Sequence, residues 1–125
     1  MTDARIRASI EAYVAAWNEH DATKRMHLID QACAEDVHMR TSGKPIDGRQ
    51  ALDAWMADFQ KRRPGSRAVF SSGIDIQGSV FRYTGVAEDS AGARGGETFD
   101  AGACDEEGRI RFLLSFVGTS VPSQK

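Results

Sequence analysis

The chain has 125 residues, of which 41% are hydrophobic and 27% charged, and this is typical of a single soluble domain spanning residues 1–125. A formal net charge of -2 disfavours nucleic acid as a partner, because phosphate binding needs clustered cationic charge. There is no run of about 18 apolar residues and no apolar core behind the N-terminus. We therefore expect a cytoplasmic protein that has no membrane partner.

Metal and cofactor chemistry have no sequence signature here. The three histidines, His20, His27 and His38, lack the spacing of metal ligands, and no GxGxxG, GxSxG or Walker pattern occurs. Cys33 and Cys104 lie far apart without a CxxC motif, so we interpret them as small core residues and not as a disulfide. We expect neither a metal nor a cofactor.

Three helices are predicted in the first half of the chain. The first, from about residue 3 to residue 18, has apolar residues at helical spacing: Ile6, Ile10, Tyr13, Val14 and Trp17. Asp21 can cap a second helix that ends near residue 34. A third begins at Asp47, has Gln50 as a capping-box partner and is stopped by Pro64. Its last turn holds Lys61-Arg62-Arg63, cations that the helix dipole favours, and this interpretation is preferred over a phosphate site.

Strands dominate the second half of the chain. A short extended segment, residues 36–41, lies between the second and third helices and is closed by residues 42–45. Four β-rich runs follow at residues 67–76, 80–87, 98–104 and 110–117. The order α-α-β-α-β-β-β-β predicts an α+β fold: a cone-shaped barrel with three N-terminal helices packed on a curved antiparallel sheet. We expect the last four runs to pair antiparallel, with the first strand at an edge or beside the last one.

Several short sequences stand at characteristic places in this order. They are Tyr13-Val-Ala-Ala-Trp17-Asn-x-x-Asp21, Glu35-Asp36-Val, Pro45-Ile-Asp-Gly48 and Gly108-Arg-Ile-Arg-Phe112. With their spacing, the chain resembles the nuclear transport factor 2-like superfamily. It is most similar to the SnoaL-like branch, which includes ketosteroid isomerase and polyketide cyclases. The resemblance implies a cone whose mouth admits a small apolar or aromatic ligand.

Closer similarity to ketosteroid isomerase implies roles for two residues. Tyr13 falls where that family has its oxyanion-hole tyrosine, and Asp100 falls near the protonated aspartic acid that donates a second hydrogen bond. The position of the catalytic base is occupied by Thr41, whose hydroxyl is too weak a base to remove a carbon-bound proton. Steroid isomerisation is therefore not expected, although the donor pair is present.

Each candidate site residue could also have a purely structural role. Tyr13 could be a core tyrosine, and Asp100, which alternates with small residues on one side of its strand, could be a solvated aspartate. His38 alternates with Val37 and Met39, which places it on the outer face as a dimer contact or solvated residue. It becomes the leading catalytic base only if the register shifts by one residue. The predicted ligand-binding residues, which could equally be core, are Trp17, Met39, Thr41, Trp55, Phe59 and Phe70.

Two hypotheses of function follow. The first is an isomerase-, cyclase- or hydratase-type enzyme that acts without metal on a small apolar carbonyl compound, through hydrogen bonds from Tyr13 and Asp100. His38 or a bound water would be its base. The second is a non-catalytic ligand-binding or dimeric module of the same fold. In either case we expect a homodimer, because the uncovered sheet face carries Phe99, Phe112 and Phe116.

Overall fold

The computed structural model describes residues 2–118 and residue 123, and in this part of the chain it contains three helices and seven strands. None of the described helices is long and apolar enough to cross a membrane. In chain order the elements are α1 (Asp3–Asn18), α2 (Ala22–Ala32), β1 (Cys33–Thr41), β2 (Lys44–Asp47), α3 (Arg49–Arg62), β3 (Arg67–Phe70), β4 (Asp75–Gln77), β5 (Val80–Glu88), β6 (Arg94–Cys104) and β7 (Ile110–Val117).

Side-chain caps begin two of the three helices. The Thr2 hydroxyl accepts a hydrogen bond from the Arg5 amide at 3.1 Å, and the Asp21 carboxylate accepts one from the Lys24 amide at 3.0 Å. The predicted capping box of α3 does not form. Asp47 is still in strand β2, where its carboxylate pairs with Arg40, and the helix begins only after Gly48, whose φ is 91°.

The sheet has the order β2-β1-β7-β6-β5-β3, and β4 also pairs with β5. As predicted, the late strands pair antiparallel and β1 lies beside the last strand, β7. The β1–β7 pair is parallel, so the sheet is mixed and the prediction of a wholly antiparallel sheet was wrong on this point. The fold is nevertheless the expected α+β barrel.

Two strand boundaries differ from the prediction. Residues 44–47, interpreted as a closing turn, form the edge strand β2, where Pro45 is tolerated because an edge residue needs no second ladder hydrogen bond. The run 67–76 is interrupted at residues 71–74 into β3 and β4, and both of these pair with β5.

The helices pack on the concave face of the sheet. The buried core there joins Ile6 and Ile10 of α1 to Phe81, Leu113 and Ile110 of the strands. Cys33 and Cys104 each lie opposite Ile110, on the strands either side of β7. Two strand spacings, about 10 Å, therefore separate their Cα atoms, which is too far for a disulfide. Both thiols are free.

Two polar contacts fix the helices relative to the rest of the barrel. The Asn18 side chain donates to the Ala68 carbonyl at 2.8 Å and accepts from the Ala68 amide at 2.7 Å, so it pairs with edge strand β3 as another strand would. The buried Arg25 of α2 pairs with Asp53 of α3 at 2.6 Å and donates to the Glu19 carbonyl at 3.0 Å. These contacts hold the end of α1 and the middle of α3 beside a cavity that lies between the helices and the sheet.

A candidate ligand-binding cavity

A cavity of about 400 Å³ lies between helices α1 and α3 and the concave face of the sheet. This volume is within the range of small-molecule sites, which runs from about 300 to 1,000 Å³. Its closed end is formed by buried residues such as Tyr13, Met39 and Asp100. Its mouth is formed by exposed residues, among them Arg62, Arg63 and Val117.

Strand register arranges the concave face in three cross-strand rows, since directly paired residues have side chains on the same face. The innermost row is apolar and consists of Met39, Leu113, Gly102 and Phe81. The middle row is polar and consists of Thr41, Ser115, Asp100 and Tyr83. The row nearest the mouth consists of Val117, Thr98, Gly85 and Phe70. On its sheet side, the cavity therefore has one polar band between an apolar innermost row and a largely apolar row nearest the mouth.

Asp100 is the central group of the polar band. It is 7% exposed, its Oδ2 accepts a hydrogen bond from the Tyr83 hydroxyl at 2.8 Å, and its buried Oδ1 has no partner among the described residues. Burial raises the pKa of Asp100, and the hydroxyls of Ser115 and Tyr83 offset this only in part. Because Oδ2 already accepts from Tyr83, a protonated Asp100 would carry its proton on Oδ1 and could donate it to a ligand.

Tyr13 supplies a second donor at the closed end of the cavity. Its ring is 3% exposed and its hydroxyl donates to the Met39 sulfur at 3.6 Å, which is a weak acceptor. Burial, and next the neighbouring charge of Asp100, raises the pKa of Tyr13 well above its ordinary value, so the phenol keeps its proton. A ligand oxygen that replaced the thioether would receive a stronger hydrogen bond.

Aromatic rings form much of the remaining wall. Trp17 meets Tyr13 and Phe59 edge to face, with centroid distances of 6.4 and 5.3 Å, and Phe70 meets Tyr83 at 5.3 Å. The structure places all six residues predicted to contact a ligand on the cavity wall: Trp17, Met39, Thr41, Trp55, Phe59 and Phe70.

Comparison with known proteins shows which solved structures have a similar fold. No protein-family model and no curated protein sequence matches the chain. Among solved structures, a candidate isomerase of the SnoaL-like family from Agrobacterium tumefaciens is 27% identical with a TM-score of 0.84, over 93% of this chain and 99% of that chain. The chain therefore has the fold of the SnoaL-like proteins in the nuclear transport factor 2-like superfamily.

Two more distant structures share the fold of this chain. A protein with a ketosteroid isomerase-like fold from Catenulispora acidiphila, solved with trimethylamine, is 13% identical with a TM-score of 0.69. The alignment covers 88% of this chain and 85% of that chain. A candidate SnoaL-like polyketide cyclase from Jannaschia is 10% identical with a TM-score of 0.66, over the same shares of the two chains.

The predicted catalytic residues do not all meet in the cavity. Tyr13 and Asp100 line it, whereas His38 lies on the convex face of the sheet. The His38 ring packs 5.1 Å from that of Phe112, and its Nδ1 is 3.2 Å from the Asp36 carbonyl oxygen. The one-residue register shift that would have turned His38 inward does not occur, so its assignment as the base for a reaction in the cavity is corrected.

Several cavity residues were not predicted from the sequence. Tyr83 and Ser115 flank Asp100 in the polar band, and Arg62 and Arg63 lie at the mouth. Alternation within β5 could have placed Tyr83 on one face of the sheet, but its pairing with Asp100 depends on a register that the local sequence does not specify. Within residues 2–118, no group of three or more His, Cys, Asp or Glu residues is placed to hold a metal ion.

Proposed function

We propose that the cavity binds a small, mostly apolar carbonyl compound and polarises its oxygen with hydrogen bonds from Tyr13 and Asp100. The observation that carries this proposal is the Asp100 Oδ1 atom, which is buried on the cavity wall without a partner among the described residues. An unpartnered buried polar atom is costly, and a ligand acceptor would satisfy it. The aromatic walls and apolar floor favour an apolar ligand body.

The same pair of donors suits a reaction in which negative charge develops on the ligand oxygen. Fixed donors stabilise such an oxyanion more than the neutral carbonyl, and burial strengthens the effect. We therefore propose proton-transfer chemistry of the isomerase, cyclase or hydratase type. The relatives described as a candidate isomerase and a candidate polyketide cyclase support this class of reaction without specifying a substrate.

A second candidate function is ligand binding without catalysis. Thr41 lines the cavity where a proton acceptor would be needed, and its hydroxyl is too weak a base. Among the described lining residues Asp100 is the only carboxyl, and no histidine is present. A reaction would therefore depend on a bound water as base, whereas a binding module needs none.

Binding of naphthol and naphthalene tests the donor pair. In Tyr13→Phe we expect naphthol affinity to fall by about 1–3 kcal/mol, because one hydrogen bond to its oxygen is lost. Naphthalene serves as the matched control and should bind both proteins equally. Asp100→Asn should retain the fold and keep naphthol binding, whereas Asp100→Leu should weaken it. Equal naphthol affinity in wild type, Tyr13→Phe and Asp100→Leu would contradict the proposal.

Hydrogen–deuterium exchange at the carbon beside the carbonyl of tetralone separates the two candidate functions. An enzyme that stabilises the enolate should accelerate exchange above the buffer rate, and Tyr13→Phe should remove most of the acceleration. Tetralone binding without faster exchange, measured by NMR, would favour the non-catalytic module.

We also propose that the protein is a homodimer joined through the convex face of the sheet. The convex patch is defined by Val80, Phe99, Phe112, Leu114 and Phe116, which register places side by side. Phe116 is 59% exposed and Val80 50%, and exposed apolar patches of this kind mark interfaces. A second copy related by a two-fold axis would cover patch with patch.

The cytoplasmic location stays a prediction, with which the two free thiols agree.

A further inference from the structure

We infer that the ligand is an organic acid anion, whose carboxylate stays at the cavity mouth beside Arg62 and Arg63 while its carbonyl or hydroxyl oxygen meets Tyr13 and Asp100. The inference rests on the proposed function and specifies the chemistry of the other end of the ligand. It comes from the distribution of charge along the cavity.

Charge in the cavity is separated by depth. The described lining residues include two cations, Arg62 and Arg63, which are both exposed at the mouth, and one carboxyl, Asp100, which is buried near the closed end. Burial favours the neutral form of Asp100. The cations of the cavity are therefore at its mouth, away from its one described carboxyl, although the whole chain has a net charge of -2.

Arg62 is held in position at this mouth. Its Nε donates to the Asp58 carboxylate at 2.7 Å, and its guanidinium carbon lies 5.9 Å from the centroid of the Trp55 ring. The Lys44 ammonium lies 5.0 Å from the same ring centroid and adds a third cation nearby. Trp55 and Arg62 both line the cavity, so this cation borders its apolar wall directly.

Arg63 is the cation at the cavity mouth whose charge is not neutralised by a carboxylate of the described residues. It follows the last residue of α3, and its backbone amide donates to the Phe59 carbonyl at 2.9 Å. Its guanidinium forms no ion pair with the described residues. The helix dipole accounts for cations at the end of α3 in general, but it does not require the side chains of Arg62 and Arg63 to border the cavity.

A carboxylate is the anion that best fits this arrangement. Guanidinium groups bind carboxylates through paired N–H donors, and an aromatic or aliphatic body between two oxygen-bearing ends would contact the apolar walls. Since both arginines are solvent-exposed, the gain in affinity should be modest and sensitive to salt.

Matched acids and esters test the inference. The probes are para-hydroxybenzoate, a hydroxynaphthoate and a hydroxybiphenyl carboxylate, each with its two groups at opposite ends, together with their methyl esters. These ligands differ in length, and each ester removes the charge while keeping the phenol. Equilibrium binding is measured by fluorescence for wild type, Arg63→Gln, the double variant Arg62→Gln/Arg63→Gln, and Arg7→Gln. Arg7 is exposed on α1 and does not line the cavity, so it controls for the change in net charge.

We expect at least one acid to bind wild type and Arg7→Gln roughly 5-fold more tightly than its ester, at low salt. The preference should shrink in Arg63→Gln, disappear in the double variant and fall as salt is added. Equal binding of all acids and esters, with naphthol binding still dependent on Tyr13, would overturn this inference and leave the proposed function intact. If no probe binds and naphthol does not bind either, both fail. An acid preference that survives in the double variant would also overturn the inference.

Discussion

Asp100 combines the features that a donor to a ligand requires. Tyr83 occupies one of its oxygens, the other has no partner among the described residues, and burial favours the protonated acid. An ionised, unpaired carboxylate in this position would cost several kcal/mol. The neighbouring Tyr83 is itself buried, and its pKa is raised by that burial and next by Asp100. The raised pKa values of Asp100 and Tyr83 both favour an uncharged polar band.

This assignment predicts a pH-dependent difference in stability between wild type and Asp100→Asn. The pKa of Asp100 is raised on folding above its ordinary value of 3.8, so the protonated group stabilises the native state below that value. The contribution is lost as pH rises through the native pKa. Urea unfolding from about pH 4 to pH 8 should show the free energy of unfolding of Asp100→Asn rising relative to wild type, then reaching a plateau. Asn titrates nowhere in this range, so the variant isolates Asp100 from other carboxyls.

A constant difference between the two proteins across that range would mean that the pKa of Asp100 does not change on folding. If the unfolding free energy of Asp100→Asn instead fell relative to wild type as the pH rose, Asp100 would be stabilised as a carboxylate, and the donor assignment would then be wrong. Naphthol binding, measured over the same pH range, should weaken as Asp100 ionises and should be less affected in Asp100→Asn.

At the scale of elements, Gly102 allows the sheet to curve around the helices. A Cβ at this position would clash with the Phe112 carbonyl oxygen and would lie 2.8 Å from the Phe81 ring. Real side chains do not approach backbone atoms so closely, so any other residue must displace strand β7. Gly102 is in the innermost row of the concave face, directly below the polar band.

Gly102→Ala should therefore destabilise the fold by about 2 kcal/mol or more, as overpacking of a core does. Gly73→Ala is the matched control, because a Cβ at Gly73 has nothing within 4 Å and its φ is not in the left-handed region. Denaturant unfolding would measure both changes. Equal stability of Gly102→Ala and Gly73→Ala would show that the sheet relaxes around the added methyl group without cost.

The connection between α2 and α3 is a second feature at this scale. Arg25 is 5% exposed and joins Asp53, Gln60 and the Glu19 carbonyl. Removing one partner of a buried pair leaves the other groups without compensation. Arg25→Met should cost about 3 kcal/mol of unfolding free energy. The exposed Arg82–Asp75 pair is the control, and Arg82→Met should cost less than about 1 kcal/mol. Similar losses in chemical denaturation would contradict a special role for Arg25.

The order of elements could be predicted because periodicity and turn residues are local signals. The spacing of Ile6, Ile10 and Tyr13 predicts α1 without knowledge of its neighbours. A position for β1 beside the last strand was one of two predicted alternatives, but the sequence could not choose between them, because the pairing joins residues more than seventy positions apart. Strand β2 was missed for a related reason, since Pro45 argues against a strand unless that strand is known to be an edge.

The candidate site was predictable only in part, for the same physical reason. Tyr13 and Asp100 were identified from resemblance to a family, and in the structure both residues line the same cavity. Tyr83 and Ser115 are brought beside Asp100 by cross-strand register, which a single sequence specifies weakly. The position of Arg62 and Arg63 depends on where α3 ends relative to the sheet, and no local pattern reports that.

At the scale of the whole molecule, the two faces of the sheet have different surroundings. The helices cover the concave face, whereas no described element covers the convex patch. Salt-bridged pairs of opposite charge, Arg40–Asp47 and Arg82–Asp75, lie on strands of the same sheet. An apolar centre with polar groups around it is the usual composition of a protein interface.

We therefore expect a dimer at micromolar concentration in light scattering, and we expect Phe116→Asp to shift the mass toward that of a monomer. Phe116 is chosen because it is the most exposed ring of the convex patch and its side chain is directed away from the cavity, so its replacement removes apolar contact area and buries a charge in the interface. Ala15→Glu introduces the same charge on the exposed face of α1 and should leave the mass unchanged. Naphthol binding by Phe116→Asp would show that the cavity remains intact. A monomeric wild type would contradict the homodimer, and a dimer that persists in Phe116→Asp would place the interface elsewhere than the convex patch.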